Sequence, residues 1–360
     1  MRIGLLIHPC DPGAPGGLGR ANFALAEALL NEKTEHSYVV YLKGDPKSTP
    51  FMKYPHATVV FMGNGPLWLM GAKSLDATLS AYVFFTPVIP LFFSPKQSVV
   101  IALDFAFLSI PAQAVRERIG TWFLYWIQRR SLKKATKVLS ISEATRQDAL
   151  KYFHLPPEKV ETMHIGYMAL SEDPTPISVP GKFFLFAGVF KERKNVTGIV
   201  RAFALFHKNN PEFHLVLAGK KEGAYYRTVE TLTQYLGIAD VVHFVGYVTN
   251  AELAFLYDNA IALVFPSLLE GFGMPILEAM DRGLPVITSN SGSLAEISGN
   301  AAFLVNPEQP VDIARGLQTL AEDQSLRTTL KTKGYARAAE FSWEKAAHIL
   351  NGHLHALHKM

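Results

Sequence analysis

The feature that most constrains this 360-residue chain is a regular alternation of strand-like and helix-like segments. Near-continuous apolar strands separated by helices are typical of parallel sheets covered on both faces, so we predict an α/β fold. In the N-terminal half, apolar periodicity predicts strands at 2–7, 36–42, 57–62, 98–103 and 137–142, and helices at 20–32, 115–135 and 142–153.

The alternation stops at 166–182, where Pro and Gly are mixed with polar residues, and it then restarts. We therefore predict two doubly wound domains, residues 1–170 and 171–342, with a C-terminal helix at 343–360 that can pack back onto the first domain. The second run predicts strands at 183–188, 213–219, 241–246, 261–266, 285–289 and 301–305, and helices at 195–208, 225–236, 250–259, 275–282 and 293–298.

The composition indicates which classes of ligand and which compartment fit this chain. A net charge of +4 and a pI of about 8.9 fit phosphate-bearing ligands or an anionic membrane surface, but no Lys/Arg-rich run indicates nucleic acid. The single cysteine, Cys10, favours a reducing compartment, so we expect a cytoplasmic protein, with peripheral contact to the inner membrane face left open. The apolar stretch at 81–93 contains two prolines and is too short to span a bilayer.

Two acidic residues bracket a glycine–proline segment at 266–280, directly after a predicted strand. Pro275 suits the first helical position, and the helix end that it starts favours an anionic oxygen. Glu270 in the loop and Glu278 at the fourth helical position would flank that anion, which suits a nucleotide sugar. In the alternative interpretation, Glu270 is solvated and Glu278 only complements the helix dipole.

Two further loops follow predicted strands. Arg193 and Lys194 come after the strand at 183–188, where they could neutralise a diphosphate; the alternative is an exposed basic turn. The glycine-rich loop at 12–19 permits a phosphate at the start of the first helix, although its spacing is not GxGxxG.

Together these segments resemble the GT-B-fold, retaining glycosyltransferases of family 4. The family's E-x7-E motif matches Glu270 and Glu278, its GGxGR loop matches 16–20, and its phosphate loop matches 188–195. The resemblance implies two Rossmann-like domains facing across a cleft and a retaining hexosyl transfer from a nucleotide sugar. The "KERKN" form is similar to the mannosyltransferase-like branch, which favours GDP-mannose as donor. Further stretches match at 138–167, 243–260 and 289–308.

The resemblance also implies site residues. Arg193 and Lys194 would bind the donor diphosphate, and Glu278 would accept hydrogen bonds from the ribose. Glu270 would hold sugar hydroxyls and stabilise charge at the anomeric carbon, so the catalytic candidates are Glu270 and Asp104. The remaining donor-binding candidates are Gly17, Gly246, Gly271, Phe272, Gly273, Met274 and Ser293. No DxD motif is evident, so we expect these cations to replace a metal, with no cofactor beyond the donor.

Two departures from the family pattern leave alternatives open. Leu103 stands where many relatives have the histidine that faces the sugar, and Val189 stands where many have arginine. The alternatives are a UDP-glucose or UDP-N-acetylglucosamine transferase, and a non-catalytic or weakly active nucleotide-sugar-binding protein. An epimerase or a phosphorylase on the same architecture is a third class, because fold alone does not fix function.

The acceptor is expected to be a glycan or a lipid-linked glycan. The segment 116–134 mixes aromatic and basic residues, a combination that can dock on an anionic membrane. The alternative is an ordinary helix that buries its aromatic stripe.

Overall fold

A computed structural model describes residues 1–10, 17–43, 50–62, 75–109 and 115–359. Most of the predicted glycine-rich loop, including Gly16 of the GGxGR match, lies outside the described residues. The chain divides into two compact units, Met1–Gly166 with Ser342–Met360, and Tyr167–Phe341.

The first unit is built on a parallel sheet whose described strands have the order β3-β2-β1-β4-β5-β6-β7. Register is parallel throughout; Ile3, for example, pairs with Tyr38 on one side and with Ala81 on the other. The strands are β1 (Arg2–Ile7), β2 (Ser37–Leu42), β3 (Ala57–Phe61), β4 (Ala81–Phe84), β5 (Ser98–Ala102), β6 (Lys137–Ser140) and β7 (Val160–Thr162). The switch in chain direction falls between β1 and β4, as in doubly wound folds.

Helices pack around this sheet and bury its central strands; every residue of β5 is buried. The helices are α1 (Gly17–Asn31), α2 (Ala106–Ser109), α3 (Val115–Lys134) and α4 (Glu143–Phe153). Helix α4 begins where its sequence predicts, because the Ser142 hydroxyl accepts a hydrogen bond from the Thr145 N–H at 3.1 Å. Phe105 and Phe153 meet in the core, with ring centroids 4.9 Å apart.

The second unit repeats the architecture with a parallel sheet of order β10-β9-β8-β11-β12-β13. Its strands are β8 (Phe183–Ala187), β9 (His214–Ala218), β10 (Val242–Gly246), β11 (Leu263–Phe265), β12 (Val286–Ser289) and β13 (Phe303–Val305). Its helices are α5 (Val196–His207), α6 (Ala224–Tyr235), α7 (Asn250–Asn259), α8 (Met274–Asp281), α9 (Gly292–Ser298), α10 (Pro310–Glu322) and α11 (Gln324–Ala338). The expected α/β class with two Rossmann-like domains is thereby confirmed.

The last helix, α12 (Trp343–His358), belongs to the first unit and packs on α1. It buries Ala347, Leu350, Leu354 and Leu357, which recur at helical spacing.

The apolar stretch at 81–93 contains β4, a strand that the sequence analysis left unassigned. No helix within the described ranges is long and apolar enough to cross a membrane.

Candidate active site

The candidate site lies where the chain switches direction in the second sheet. Strands β8 and β11 are neighbours, and from them the chain proceeds toward opposite edges of the sheet. Loops at the carboxyl ends of two such strands diverge and leave a crevice, which is the usual ligand position in open α/β sheets. The loop after β8 carries Arg193 and Lys194, and the loop after β11 carries Glu270.

The loop after β8 is held in shape by a short 3₁₀ turn over Glu192–Lys194. Asn195 follows in the left-handed conformation, with φ of 57°, and α5 begins at the next residue. Asparagine is one of the few residues that tolerate this conformation. The backbone therefore reverses sharply, and it directs two consecutive basic side chains toward the loop after β11.

Asn195 also ties this loop to its neighbours. Its buried side chain donates to the Pro266 carbonyl oxygen at 3.2 Å and to the Pro307 carbonyl oxygen at 2.6 Å. The Leu268 N–H donates to the Arg193 carbonyl oxygen at 2.8 Å. The backbones that carry the cations and the glutamate are thus joined directly.

Glu270 forms ion pairs with both cations. Its Oε2 lies 2.7 Å from Arg193 Nη1, and its Oε1 lies 2.5 Å from Lys194 Nζ. Arg193 also donates to the Leu269 carbonyl oxygen at 3.1 Å, and Lys194 Nζ lies 4.6 Å from the ring centroid of Phe265. Two cations thus share one carboxylate, so the cluster carries net positive charge toward an incoming anion.

The cluster is largely removed from water. Exposed fractions of the side chains are 8% for Glu270, 24% for Arg193 and 12% for Lys194. Glu270 is therefore not a solvated carboxylate, and the two cations are not an exposed turn. Burial lowers the pKa of Lys194, and the Glu270 carboxylate opposes that shift by favouring the charged ammonium.

Steric crowding explains why the residue before α8 is a glycine. Gly273 has φ of 109°, and a Cβ built on it would lie 2.6 Å from Leu294 Cδ2. Helix α8 then begins at Met274, so Pro275 is its second residue rather than its first. Glu278 consequently lies one position further along the helix than expected, beyond the first turn.

Glu278 and Ser293 connect the site to the elements behind it. Glu278 is half-buried, and its Oε2 accepts from the buried Tyr257 hydroxyl at 3.4 Å. The Ser293 hydroxyl donates to the Glu270 carbonyl oxygen at 2.7 Å, which fixes the backbone of the glutamate. The Phe272 ring packs edge-on against Phe341, with centroids 5.8 Å apart.

The other candidates occupy separate places. Gly246 ends β10 with φ of 83°, and its carbonyl oxygen accepts from the Gly219 N–H at 2.8 Å. Gly17, the first residue of α1, and Asp104 both lie in the first unit. Asp104 is exposed, its Oδ1 accepts from the Ala106 N–H at 3.2 Å, and the preceding Leu103 is buried.

Sequence reasoning missed the structural role of Asn195. The available signal in the sequence was the glycine three residues later, Gly198. A Cβ there would lie 2.4 Å from Asn195 Oδ1, so only glycine leaves room for the asparagine side chain. No group of three His, Cys, Asp or Glu side chains able to hold a metal is found in the described part of the chain. Whether the reaction needs a metal stays a prediction.

Comparison with known proteins matches most of the second unit to a family. Residues 171–337 match the family described as glycosyl transferases group 1. O-antigen chain mannosyltransferase B of Escherichia coli is 28% identical over 276 residues, which are 71% of this chain and 70% of that protein. The serotype-specific mannosyltransferase WbdA of Escherichia coli is 29% identical over 62% of this chain, but this covers only 29% of WbdA's length.

Solved structures share the fold. Sucrose-phosphate synthase from Thermosynechococcus elongatus superposes with a TM-score of 0.80 at 22% identity, covering 99% of each chain. Anabaena HepE in complex with UDP-glucose superposes with a TM-score of 0.76 at 18% identity, covering 99% of this chain and 100% of HepE. At these identities the likeness concerns the fold. The chain therefore has the GT-B fold of solved glycosyltransferases, and almost all of its second unit matches the glycosyl transferases group 1 family.

Proposed function

We propose that the chain transfers a hexose, with mannose favoured, from a nucleotide sugar to a glycan or lipid-linked glycan with retention of anomeric configuration. The observation that carries this proposal is the cluster of Arg193, Lys194 and Glu270 at the switch point of the second sheet. A net positive, poorly solvated site beside the start of α8 suits a diphosphate, and the adjacent carboxylate suits a sugar.

Binding of the donor rearranges the charges of the cluster in this proposal. Without donor, both oxygens of Glu270 are held by the cations. Diphosphate oxygens replace the carboxylate on Arg193 and Lys194, and Glu270 becomes available to the sugar hydroxyls. Glu278 accepts from the ribose hydroxyls, and the backbone at Gly271–Met274 contacts sugar and phosphate. Donor binding thereby frees Glu270 to act on the sugar.

The transfer step takes place on one face of the sugar. The bond between the anomeric carbon and the diphosphate oxygen breaks, and the acceptor oxygen forms the new bond from the same side. The acceptor proton passes to the leaving diphosphate. Arg193, Lys194 and the start of α8 stabilise the negative charge on that leaving group, while Glu270 stabilises the positive charge at the anomeric carbon.

Mannose is favoured because both curated relatives described above are mannosyltransferases. GDP-mannose is favoured as its donor because the "KERKN" form at 191–195 is similar to the mannosyltransferase-like branch. The alternative donor is a UDP-sugar, since HepE of the same fold was solved with UDP-glucose. A non-catalytic binding protein remains the second candidate function. The observation that favours it is the buried, apolar Leu103 beside Asp104.

A thermal-shift panel of GDP-mannose, UDP-glucose, UDP-N-acetylglucosamine and ADP-glucose tests the donor. We expect GDP-mannose to raise the melting temperature most, because a ligand that binds only the native state stabilises it. A larger shift with UDP-glucose would replace the mannose proposal by the UDP-sugar one. If none of the four raised the melting temperature, the proposal of a donor site would be contradicted.

Donor turnover separates an enzyme from a binding protein. We expect slow hydrolysis of the preferred donor without acceptor, in the presence of EDTA. Donor binding with no release of nucleotide diphosphate, even when acceptor candidates are supplied, would favour the non-catalytic alternative. Activity lost with EDTA and restored by Mg²⁺ would contradict the metal-free mechanism.

A further inference from the structure

Helix α3 has two apolar faces, and only one of them is covered. At 100° per residue, the buried positions Ile127, Ser131 and Leu132 lie on one side of the helix. The opposite side carries four apolar residues whose spacings of three, one and three positions bring them onto one face of a helix. They are Ile119, Trp122, Phe123 and Trp126. Lys133, which is exposed, continues that same side two turns after Trp126, and the exposed Lys134 lies at its edge, in line with Ile127. We call these six residues the aromatic–basic face.

The aromatic part of this face is exposed in the structure. Trp122 is 65% exposed, Phe123 is 50% exposed and Trp126 is 45% exposed. The alternative interpretation, in which α3 buries its aromatic stripe, is therefore wrong for these three residues. Tyr125 does pack inward and stacks on Phe153. Exposed tryptophans adjoining each other on one helix are unusual for a surface that only contacts water.

A neighbouring loop extends the face. The Ile89 N–H donates to the Ser131 hydroxyl at 2.8 Å, Arg130 donates to the Leu91 carbonyl oxygen at 2.5 Å, and Lys134 donates to the Ser94 hydroxyl at 2.9 Å. These bonds hold the loop along the C-terminal half of α3. Phe92, between the anchored residues, is 74% exposed.

Charge decides which partner fits. Residues 118–134 contain five Lys or Arg and no Asp or Glu, and residues 86–97 contain one Lys and no Asp or Glu. Interfaces with protein partners are depleted of lysine, whereas these two segments carry three lysines. Tryptophan and phenylalanine beside long basic side chains fit the headgroup layer of an anionic bilayer, where the rings enter the interface and the cations meet lipid phosphates.

We propose that the aromatic–basic face, together with Phe92, docks the first unit on the surface of an anionic lipid bilayer. The rings enter the headgroup layer, and Lys133 and Lys134 contact lipid phosphates. This inference goes beyond the proposed function and does not depend on the donor site, since lipid binding requires no nucleotide sugar.

Vesicle flotation tests the proposal on the full chain. We expect the wild-type chain to float with vesicles of equal parts phosphatidylcholine and phosphatidylglycerol, and to sink with phosphatidylcholine alone. The double variant Trp122→Ser/Trp126→Ser should lose at least about tenfold in affinity, because two aromatic side chains no longer leave water. Lys133→Ala should lose about fivefold on the anionic vesicles at low salt.

Tyr235→Ser is the matched control, because Tyr235 is an 83% exposed aromatic on a helix of the second unit. It should float like the wild-type chain.

The proposal is overturned if the wild-type chain sinks with anionic vesicles at low salt, or if the double tryptophan variant floats as well as the control. It is also overturned if the wild-type chain forms a concentration-dependent dimer that the double variant abolishes, because the face would then join two copies. Donor thermal shifts of the double variant should equal those of the wild-type chain, which keeps this test separate from that of the proposed function.

Discussion

At the scale of single residues, the site depends on one carboxylate between two cations. Glu270 holds Arg193 and Lys194 in place before any ligand arrives. Because the three groups are largely buried, removing one of them would leave a poorly solvated charge unpaired, which costs free energy. A lysine in such a position stays charged only with a partner, either the glutamate or a ligand phosphate. The residue that pairs with both cations is thus also the one proposed to act on the sugar.

Glu270→Gln separates these two roles. We expect turnover to fall by about 10²–10³-fold, because the variant cannot stabilise charge at the anomeric carbon, while affinity for GDP is kept or increased. Donor turnover and a GDP titration on the same preparation measure both. Glu192→Gln, an exposed acidic residue in the loop after β8, is the control and should behave like the wild-type chain. Near-normal turnover in Glu270→Gln would remove Glu270 from the chemistry.

Gly273 tests the steric argument for the loop after β11. Gly273→Ala should destabilise the chain by about 1–3 kcal/mol more than Gly223→Ala, because both have positive φ but only the former meets a neighbouring side chain. Urea unfolding of the two variants gives the difference in the free energy of unfolding. Equal losses would show that Leu294 moves aside without cost.

At the scale of elements, α12 is held to the first unit partly through histidines. His36 is 4% exposed, and its ring centroid lies 4.4 Å from that of His355 on α12. Burial lowers the pKa of His36 to about 4, and neighbouring positive groups, among them His355 and His358, act in the same direction. The docked helix therefore favours a neutral His36.

The pH dependence of stability follows from that shift. In the unfolded chain His36 titrates near its ordinary pKa of 6.5, so between pH 6.5 and about 4 the unfolded state binds more protons than the native state. Stability should fall by up to about 3 kcal/mol as pH drops through this window. His36→Gln should flatten the decline in a series of urea unfolding curves. The control His348→Gln, whose side chain is 81% exposed on α12, should keep the wild-type slope; an unchanged slope in His36→Gln would contradict the account.

The elements also show what the sequence could predict. Helix α7 has the predicted bounds, because Thr249 and Glu252 form a capping box at its start. Strand β4 was missed because "AYVFF" continues into an apolar run with prolines, and periodicity cannot separate a buried strand from its apolar loop. In α3 both helix faces carry apolar residues, so the pattern could not tell which face is buried.

The candidate site was predictable in its residues but not in its contacts. The sequence already indicated that the loops after β8 and β11 carry the candidate residues, and the structure brings Arg193, Lys194 and Glu270 together. The pairing of Glu270 with Arg193 joins residues 77 positions apart, and it depends on β8 and β11 being neighbours in the sheet. The role of Asn195 likewise depends on two other loops, those after β11 and β13, because each supplies one of its two carbonyl partners.

At the scale of the whole molecule, the two units repeat one topology but carry different surfaces. The second unit brings its buried charges to the switch point of its sheet, where a nucleotide sugar is proposed to bind. The first unit carries the exposed aromatic–basic face, where a membrane is proposed to bind.

The central claim is that Arg193 and Lys194 hold the diphosphate of a nucleotide sugar, and calorimetric titration of GDP-mannose tests it most directly. The matched pair is Arg193→Ala and Lys191→Ala, because Lys191 is an exposed cation in the same loop. We predict that Arg193→Ala weakens binding by about ten- to a hundredfold, since charged hydrogen bonds to phosphate are lost, while Lys191→Ala stays within about threefold of the wild-type chain. Equal affinity of Arg193→Ala and the wild-type chain for GDP-mannose would contradict the account.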